Sequence, residues 1–416
     1  MMRVLRGRAA ETRVRALEQR GATDLAKVEK HVKRIVADVR KNGDPALRRY
    51  AVKWDGLQNK QPLRVTDAEL ETAWNSATDN FKQALKTAAA NIRQYCAWQM
   101  PQPWRNAVSP GIQVGQVVRP LQSVGCYVPG GRYPLPSTML MTVIPAQVAG
   151  VQQIRVVSPR PAAETLATAH FLRVKEFYRV GGAQAVAALA CGTVSIPKVD
   201  KIVGPGNLFV TAAKKLVAFD CGIDFLAGPT EVAIVSERGD ARFIAADLVA
   251  QAEHDPDALA VFITSTETLA ESVAREVKTA AAANEIARTS LKNNGAILLA
   301  ASHEQALEFA NRIAAEHITI NEEDLPRITN AGSIFVGDYS PQAAGDYAAG
   351  PNHVLPTGAV ARFRGGLSVH DFVKIISVQQ LSRDGLDRIG SAVVTLAEAE
   401  GLKAHAESIR VRCSHA

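Results

Sequence analysis

The stretch Ser123-Val-Gly-Cys-Tyr-Val128, which runs into the turn Pro129-Gly-Gly131, begins the alternation that decides the fold. Short β-branched runs and alanine-rich helical patterns then follow one another along the chain. They occupy residues 154–157, 163–174, 181–189 and 201–203. Strands that alternate with helices at this spacing are typical of a parallel sheet covered by helices.

The same alternation resumes after residue 230. Strands are predicted at residues 231–235, 260–263 and 295–299, with helices between them and a last helix ending near Ala314. After Ser368 the pattern is wholly helical, over residues 369–381, 386–400 and 402–411. We therefore predict an α/β protein with two incomplete Rossmann-like parallel-sheet domains, a small helical N-terminal segment and a C-terminal helical arm.

The composition is that of a globular protein with more than one domain. The chain has 416 residues, of which 47% are hydrophobic and 21% charged, as in ordinary globular domains. No apolar run approaches the ~20 residues that span a bilayer. The net charge of +7 is spread along the chain, and the densest group of arginines, between Arg3 and Arg20, is interleaved with glutamates. That pattern is typical of a solvated helix face, so we predict neither a membrane nor a nucleic-acid partner.

The cysteines indicate a reducing compartment. There are five, an odd number, widely spaced and never in a CxxC pair, which argues against a disulfide scaffold. The arginine-rich start contains acidic residues and no apolar core, so we interpret it as part of the folded protein rather than a transit peptide. We expect a cytoplasmic protein.

Four separated patches carry candidate chemistry. Each offers an imidazole, carboxyl or carboxamide group, and four of the nine histidines lie in them. The patches are Gln251-Ala-Glu-His254-Asp-Pro256, Glu316-His317, Gly345-Asp346-Tyr-Ala-Ala-Gly-Pro-Asn-His353 and Glu400-Gly-Leu-Lys-Ala-His405. Zinc accepts histidine nitrogen and carboxylate oxygen about as readily as thiolate. Together the patches favour a metal and acid–base site.

Taken singly, two of these patches have ordinary structural explanations as well. Gln251 and His254 share one helix face, as a metal pair requires, but a histidine at a helix end also interacts with free carbonyls. Glu316 and His317 stand at a helix–strand junction, where they could relay protons or activate water. A Glu-His pair of this kind is equally consistent with a structural role, in which Glu316 is exposed at the sheet edge and His317 is half-buried.

The other patches and the glycine-rich loops are equally open on local grounds. Turn chemistry explains the loop between Asp346 and His353, and Glu400 and His405 flank Gly401 on a terminal helix, where polar residues usually face solvent. No G-x-G-x-x-G fingerprint is present, so the loops leave dinucleotide binding undecided. Cys126 could be a nucleophile, but a strand cysteine is more often a small buried hydrophobe.

In combination, the patches identify a resemblance to the histidinol dehydrogenase family. The resemblance covers about residues 28–411, in the family's order. It is carried by Val124-Gly-Cys-Tyr-Val-Pro-Gly-Gly131, Gly181-Gly-Ala-Gln-Ala-Val-Ala-Ala-Leu189, Pro197-Lys-Val-Asp-Lys-Ile-Val-Gly-Pro-Gly-Asn207, Ala227-Gly-Pro-Thr-Glu231 and the four patches, of which the third continues through Val354-Leu-Pro356.

The resemblance implies an enzyme that oxidises L-histidinol to L-histidine through the aldehyde, with two molecules of NAD and one of water. It implies one Zn2+ per subunit, which holds the substrate. The implied metal ligands are Gln251, His254, Asp346 and His405. These ligands, with Thr230, His317 and Glu400, are the implied substrate-binding residues.

The resemblance also assigns the remaining site residues. His317 matches the general base for the hydroxyl proton, and Glu316 the acid that activates water for aldehyde hydration. His353 is a further imidazole near the substrate. The positions that contact NAD are Tyr127, Gln184 and Asn207. The family is a homodimer in which the C-terminal helices complete the partner's site, so Glu400 and His405 are expected to act there.

These assignments give the domains their expected functions. We predict an N-terminal helical segment over residues 1–22. Residues 23–126 and 231–367 would form the first α/β domain, with the zinc site, and residues 127–230 the second, contacting NAD. Residues 368–416 would form an arm that crosses to the partner subunit.

The sequence departs from the family at three places. Thr230 stands where serine is usual, Ala315 precedes Glu316 where proline is commoner, and residues 132–137 differ from the usual small-residue stretch. Three alternatives stay open. A paralogue of the same fold could oxidise another polyol, such as a sulfonated propanediol; a zinc hydrolase could use Glu316 as base; and an RNA-binding protein would bind in a strongly salt-dependent way.

Overall fold

The computed structural model describes residues 2–20, 25–130 and 134–413, which form three sheets. Their strands, in chain order, are β1 (Arg3–Arg6), β2 (Trp104–Ser109), β3 (Ile112–Pro120), β4 (Ser123–Tyr127), β5 (Gln153–Val157), β6 (Glu176–Tyr178), β7 (Lys201–Val203), β8 (Gly222–Ile223), β9 (Glu231–Val235), β10 (Leu259–Thr264), β11 (Ala296–Leu299), β12 (His317–Ile320), β13 (Ser333–Val336) and β14 (Val373–Leu381).

The helices connect and cover these strands. They are α1 (Gly7–Glu18), α2 (Ala26–Trp54), α3 (Asp67–Ser76), α4 (Asp79–Gln99), α5 (Pro136–Ala149), α6 (Ala163–Phe171), α7 (Gly182–Cys191), α8 (Leu208–Val217), α9 (Ala241–Ala252), α10 (Glu267–Ala280), α11 (Glu285–Asn293), α12 (His303–Ile313), α13 (Gln342–Tyr347), α14 (Arg383–Ala399) and α15 (Lys403–Arg410). Short 3-10 helices lie at Glu322–Arg327, Val360–Arg362 and Val369–Phe372.

The first parallel sheet has five strands in the order β6-β5-β4-β7-β8. Every residue of β4 is buried, because helices cover both faces of the sheet. Helix α2 packs against α7 and α8 on one face, and α3 and α4 pack against α6 and α5 on the other. This sheet therefore presents its strand ends, rather than its faces, to ligands.

The second parallel sheet has six strands in the order β1-β11-β10-β9-β12-β13. Strands β9 and β10 are buried at every residue, and their apolar side chains supply two cores, one on each face. Continuous apolar strands of this kind are expected where a parallel sheet is covered on both sides. The α/β prediction is confirmed.

The third sheet is antiparallel, in the order β14-β3-β2. Strand β14 pairs with β3 along its whole length, from Val373 opposite Pro120 to Leu381 opposite Ile112. The prediction of a helix over residues 369–381 is therefore wrong beyond the short 3-10 helix. Four β-branched apolar residues in six positions, 373–378, suit a pleated strand better than a helix. Helices α14 and α15 then pack against each other as a terminal hairpin.

Two predicted segments also differ from the observed packing. The N-terminal segment is not wholly helical, since β1 joins the six-stranded sheet beside β11. Residues 26–99 and strand β4 belong to the core of the five-stranded sheet, whereas the predicted boundaries placed residues 23–126 with residues 231–367. None of the helices in the described residues has the length and apolar character to cross a bilayer.

Candidate active site

One cavity lies where the two parallel sheets meet, and its volume is about 550 Å³. The five-stranded sheet contributes the segments that follow the carboxyl ends of β4 and β7, and the six-stranded sheet the residues at the amino ends of β9 and β12. Ligands of open parallel sheets bind at the carboxyl ends of the strands. The carboxyl ends of strands in the five-stranded sheet thus face side chains at the amino ends of strands in the six-stranded sheet.

Glu316 lies immediately before β12, with only 6% of its surface exposed. Its Oε2 accepts hydrogen bonds from the Thr230 hydroxyl at 2.5 Å and from the backbone N–H of Glu231 at 2.9 Å. Burial raises the pKa of Glu316 to about 7, although the neighbouring His317 and the two hydrogen bonds oppose the rise. A carboxyl group with a pKa near neutrality is suited to general acid–base work.

His317 is the first residue of β12 and is buried. Its Nδ1 lies 3.1 Å from the carbonyl oxygen of Glu231 and 3.7 Å from Glu316 Oε2. Its Nε2 lies 3.5 Å from Asp346 Oδ1 but forms no hydrogen bond with any described residue. Burial alone would lower the pKa of His317, but the Glu316 and Asp346 carboxyl groups outweigh it and raise the pKa to about 9.

Asp346 and His353 lie on the opposite side of the His317 ring from Glu316. Burial opposes ionisation of Asp346, but the attraction of His317 holds its pKa below the usual range. The backbone carbonyl of Asp346 lies 2.7 Å from His353 Nδ1, and burial lowers the pKa of that imidazole. The loop therefore places both a carboxyl group and an imidazole on the wall of the cavity.

Glu231 is a supporting residue that the sequence did not single out. Its backbone carbonyl meets His317 and its backbone N–H meets Glu316, so the first residue of β9 fixes both side chains. The Glu231 carboxylate is bound bidentately by Arg20, at 2.7 and 2.6 Å, and accepts the N–H of Gly358. Arg20 was interpreted as part of a solvated helix face, and only its separation of 211 residues from Glu231 hid the contact.

The predicted metal ligands of this chain converge only in part. His254 and Asp346 line the cavity, while Gln251 is buried in the last turn of α9 and donates its Nε2 to Thr230. Helix α9 ends at Ala252, so His254 lies beyond the helix on which the two residues were predicted to share a face. In the described residues, no three histidine, cysteine, aspartate or glutamate side chains are placed to hold a metal ion. His405 and Glu400 are exposed on the terminal hairpin and are not among the residues that line this cavity.

A second cavity, of about 330 Å³, collects the residues predicted to contact NAD. Tyr127, Gln184 and Asn207 all line it, and Asn207 lines the first cavity as well. The Tyr127 hydroxyl accepts the N–H of Gly182, and the Gln184 carboxamide donates to the buried Asp55 carboxylate at 3.0 Å. Asn207 caps α8 with its side-chain oxygen. The two cavities are neighbours that share one residue.

The aromatic rim of the second cavity was missed from the sequence. The centroid of the His31 ring lies 6.1 Å from that of Trp54 and 6.2 Å from that of Phe209. Trp54 and Phe209 are partly exposed, as a surface that stacks on a planar ring requires. These residues come from α2 and α8, and no local motif links them, so only the packing of α2 on α8 brings them together.

Cys126 is not available as a nucleophile. It has no exposed surface, and burial raises its pKa to about 12. A thiol is nucleophilic as its thiolate, so this residue acts as a small core side chain. Of the unusual stretch 132–137, residues 132 and 133 lie outside the described part of the chain, whereas Leu135 and Ser137 line the first cavity.

Comparison with known proteins shows which family this chain is similar to. A sequence profile of the histidinol dehydrogenase family matches residues 18–413. The histidinol dehydrogenase of Methanosarcina mazei is 46% identical to this chain over 418 residues, which cover 97% of this chain and 96% of that protein. The histidinol dehydrogenase of Methanothermobacter thermautotrophicus is 47% identical over 415 residues, or 96% and 97% of the two chains.

A solved structure extends the likeness to the fold. The crystal structure of histidinol dehydrogenase from Elizabethkingia anophelis matches with a TM-score of 0.94 at 34% identity, over 99% of this chain and 98% of that one. Two parallel sheets that share a cavity with a buried carboxyl–imidazole pair, in a chain with these relatives, define an oxidoreductase of the α/β class. The chain belongs to the histidinol dehydrogenase family.

Proposed function

We propose that this chain oxidises L-histidinol to L-histidine through L-histidinaldehyde, with NAD as the hydride acceptor. The observation that carries the proposal is the pair Glu316 and His317, two different proton-transfer groups buried side by side at one cavity. Oxidation of an alcohol releases a hydroxyl proton as hydride leaves. Oxidation of an aldehyde also requires a water molecule to lose a proton. Two adjacent groups therefore match two successive demands.

His317 would take the hydroxyl proton in the first oxidation. Its Nδ1–H donates to the Glu231 carbonyl, so the lone pair of the neutral ring resides on Nε2. That atom is buried without a hydrogen-bond partner in the described residues, which leaves it free for a substrate hydroxyl. His317 accepts a proton only when neutral, and the Glu316 and Asp346 carboxyl groups both oppose the neutral form because they raise the pKa of the ring. Engaging Asp346 in metal binding removes part of that opposition.

Glu316 would activate water for the second oxidation. The raised pKa of this carboxyl makes it a base strong enough to draw a proton from water as the water attacks the aldehyde. The hydrated aldehyde then carries a hydroxyl group, which would give its proton to His317 as the second hydride leaves for NAD. Glu316 would thus take the proton from water, and His317 would take the hydroxyl proton each time a hydride leaves for NAD.

His254 and Asp346 line the first cavity, Gln251 is hydrogen-bonded to Thr230 on its wall, and these three donors fit a zinc ion. Gln251, His254 and Asp346 offer an amide oxygen, an imidazole nitrogen and a carboxylate oxygen, which are ligands that zinc accepts. When bound, zinc would supply an electrophilic anchor for the imidazole and amino groups of the substrate. His254 is exposed on the single chain, so its ring is free to take a ligand. One more protein donor would complete four-coordination.

The fourth donor is proposed to come from a second subunit. His405 and Glu400 lie on the terminal hairpin, whose Leu396 is 66% exposed and Leu402 43% exposed. Exposed apolar residues on a protruding hairpin fit a surface that another chain covers. In a symmetric homodimer each hairpin would reach the other subunit's cavity, where Glu400 would contact substrate.

NAD would bind in the second cavity, with Tyr127, Gln184 and Asn207. Support comes from the shared residue Asn207, through which the cavity adjoins the site of hydride transfer. The five cysteines are free, which fits a reducing cytoplasm as the place of the reaction.

The proposal is tested by following NADH absorbance with purified protein. Histidinol and NAD should give NADH, whereas a sulfonated propanediol should not. Chelation should abolish the signal and zinc should restore it. His254→Ala should lose both metal and activity, while His370→Ala, at an exposed histidine outside the cavity, should keep both. Turnover of the propanediol in place of histidinol, or full activity in protein that elemental analysis finds free of metal, would overturn the proposal.

A further inference from the structure

Thr230 lies on the turn that precedes β9 and touches two side chains with different roles. Its hydroxyl donates to Glu316 Oε2 at 2.5 Å and accepts a hydrogen bond from Nε2 of Gln251. A hydroxyl has one proton to give, and here the proton goes to Glu316. The chain of bonds therefore has one direction, from the Gln251 amide through Thr230 to the Glu316 carboxyl.

The bond to Thr230 decides which atom of Gln251 is left for a metal. The carboxamide has one nitrogen and one oxygen, and its nitrogen is committed to Thr230. Its oxygen is the donor that zinc requires. Gln251 is buried, so loss of the Thr230 hydroxyl would leave a buried N–H unsatisfied and would no longer fix which end of the carboxamide faces the metal.

The same hydroxyl decides how Glu316 presents its two oxygens. In the described residues, its hydrogen bonds from Thr230 and from the Glu231 N–H both fall on Oε2. Oε1 is then the oxygen left to accept a proton from water. The Thr230 hydroxyl thus orients Gln251 by accepting a hydrogen bond from it, and orients Glu316 by donating one to it.

We propose that Thr230 is a positioning residue that couples the zinc ligand Gln251 to the water-activating Glu316. This inference rests on the proposed function, but it assigns Thr230 a role other than substrate contact alone. The threonine methyl also restricts the first side-chain torsion, which serine leaves freer. A residue that holds one group for the metal and one for water should affect zinc affinity and aldehyde oxidation together.

The test compares Thr230→Val, which keeps the shape and removes the hydroxyl, with Thr230→Ser, which keeps the hydroxyl. Thr230→Ala serves as a second hydroxyl-free variant should valine prevent folding. Zinc affinity is measured by competition with a chromophoric chelator. NADH formation is measured separately from histidinol and from histidinaldehyde. Loss of a supporting partner of a metal ligand lowers metal affinity by ~10–100-fold. We expect a loss of zinc affinity of this size in the variants without the hydroxyl, and an affinity close to that of wild type in Thr230→Ser.

Aldehyde oxidation should fall more than alcohol oxidation in the hydroxyl-free variants, in kcat rather than KM. The matched control is Thr319→Val. Thr319 lies two residues after His317, and its hydroxyl also accepts a hydrogen bond from a glutamine side-chain amide, that of Gln342. This control variant should leave zinc affinity unchanged. Unchanged zinc affinity with only a higher KM for histidinol would overturn the proposal, as would equal losses in Thr319→Val. Wild-type protein that binds zinc but does not oxidise histidinol would reject the proposed function instead, and the zinc measurements would still decide the role of Thr230.

Discussion

At the scale of single residues, the roles of Glu316 and His317 depend on backbone groups of one neighbouring strand. Glu231 gives its N–H to one and its carbonyl to the other. The sequence identified the two side chains because an acid and an imidazole stand side by side. It could not identify Glu231 or Arg20, because the bond between them joins residues far apart in the chain. Burial raises the pKa of Glu316, and the Glu316 and Asp346 carboxyl groups raise the pKa of His317. No local sequence pattern contains either cause.

Another residue pair fixes the loop that carries Asn207. Lys214 donates to Asp224 at 2.6 Å and also to the carbonyl of Gly204, and Asp224 accepts the Gly204 N–H. Both side chains are buried, with 4% and 0% exposed. Removing one partner of such a pair leaves a buried charge uncompensated.

We therefore expect Lys214→Met to lower the free energy of unfolding by about 3–5 kcal/mol and to raise the KM for NAD. Urea unfolding and initial rates would measure the two effects. Lys215→Met is the matched control, since Lys215 is half-exposed and pairs with Glu29 at 3.3 Å; it should cost less than about 1 kcal/mol. A fully stable Lys214→Met protein with unchanged KM would contradict the role of this pair.

At the scale of elements, the strongly periodic segments were predictable and the edge strands were not. Strand β9 begins and ends at the predicted residues 231 and 235, because a continuous apolar β-branched run has few alternatives. Strand β14 was mistaken for a helix, because its partner β3 lies more than 250 residues earlier in the chain and only that pairing satisfies its backbone. Strand β1 was missed for the same reason, since it forms by joining β11.

Helix α3 gives a prediction about pH. Thr66 and Glu69 form a capping box at its start, and Glu69 also binds the buried Arg179. The hydrogen bond from Arg179 is the main reason that the pKa of Glu69 falls to about 2. Because the folded-state pKa lies below the unfolded value, the ionised carboxylate stabilises the fold above about pH 4–5. This contribution is lost as the pH falls towards 2.

Glu69→Gln should therefore lower the free energy of unfolding by about 1 kcal/mol at pH 7. This value is discounted for solvent screening because the Glu69 side chain is 44% exposed. The difference from wild type should shrink as the pH falls from 5 to 3. Urea unfolding at several pH values would measure it. Glu71→Gln, at an exposed position of the same helix, should give no such pH-dependent difference. A constant difference between Glu69→Gln and wild type at all pH values would contradict the account.

At the scale of the whole molecule, the predicted division of the chain depended on where helices pack. The two parallel sheets and the terminal hairpin were expected from the sequence. The sequence could not predict which sheet residues 26–99 pack against, because the apolar face of an amphipathic helix such as α2 can cover either parallel sheet. The antiparallel sheet was not expected at all, because it joins residues 104–120 with residues 373–381. Long-range pairing of this kind leaves little trace in a local window.

The proposed sharing of sites between subunits predicts complementation. His317→Ala and His405→Asn should each be nearly inactive alone. In a mixed dimer, one site would receive both lesions and the other would combine an unmutated cavity with an unmutated hairpin. Random mixing makes about half of the dimers mixed, so roughly a quarter of wild-type activity should return after joint refolding. Verified mixed dimers without any activity would mean that each hairpin serves its own chain.

The division of labour between Glu316 and His317 is the central claim, and the yield of NADH per histidinol tests it most directly. The measurement uses limiting histidinol, excess NAD and a semicarbazide trap for released aldehyde. Wild-type enzyme should approach two NADH per histidinol. Glu316→Gln should stop near one, with histidinaldehyde accumulating, because only the second oxidation needs activated water. His317→Ala should slow the first oxidation by ~10²–10⁴-fold. A yield of two NADH from Glu316→Gln, or equal slowing of both oxidations in that variant, would contradict the assignment.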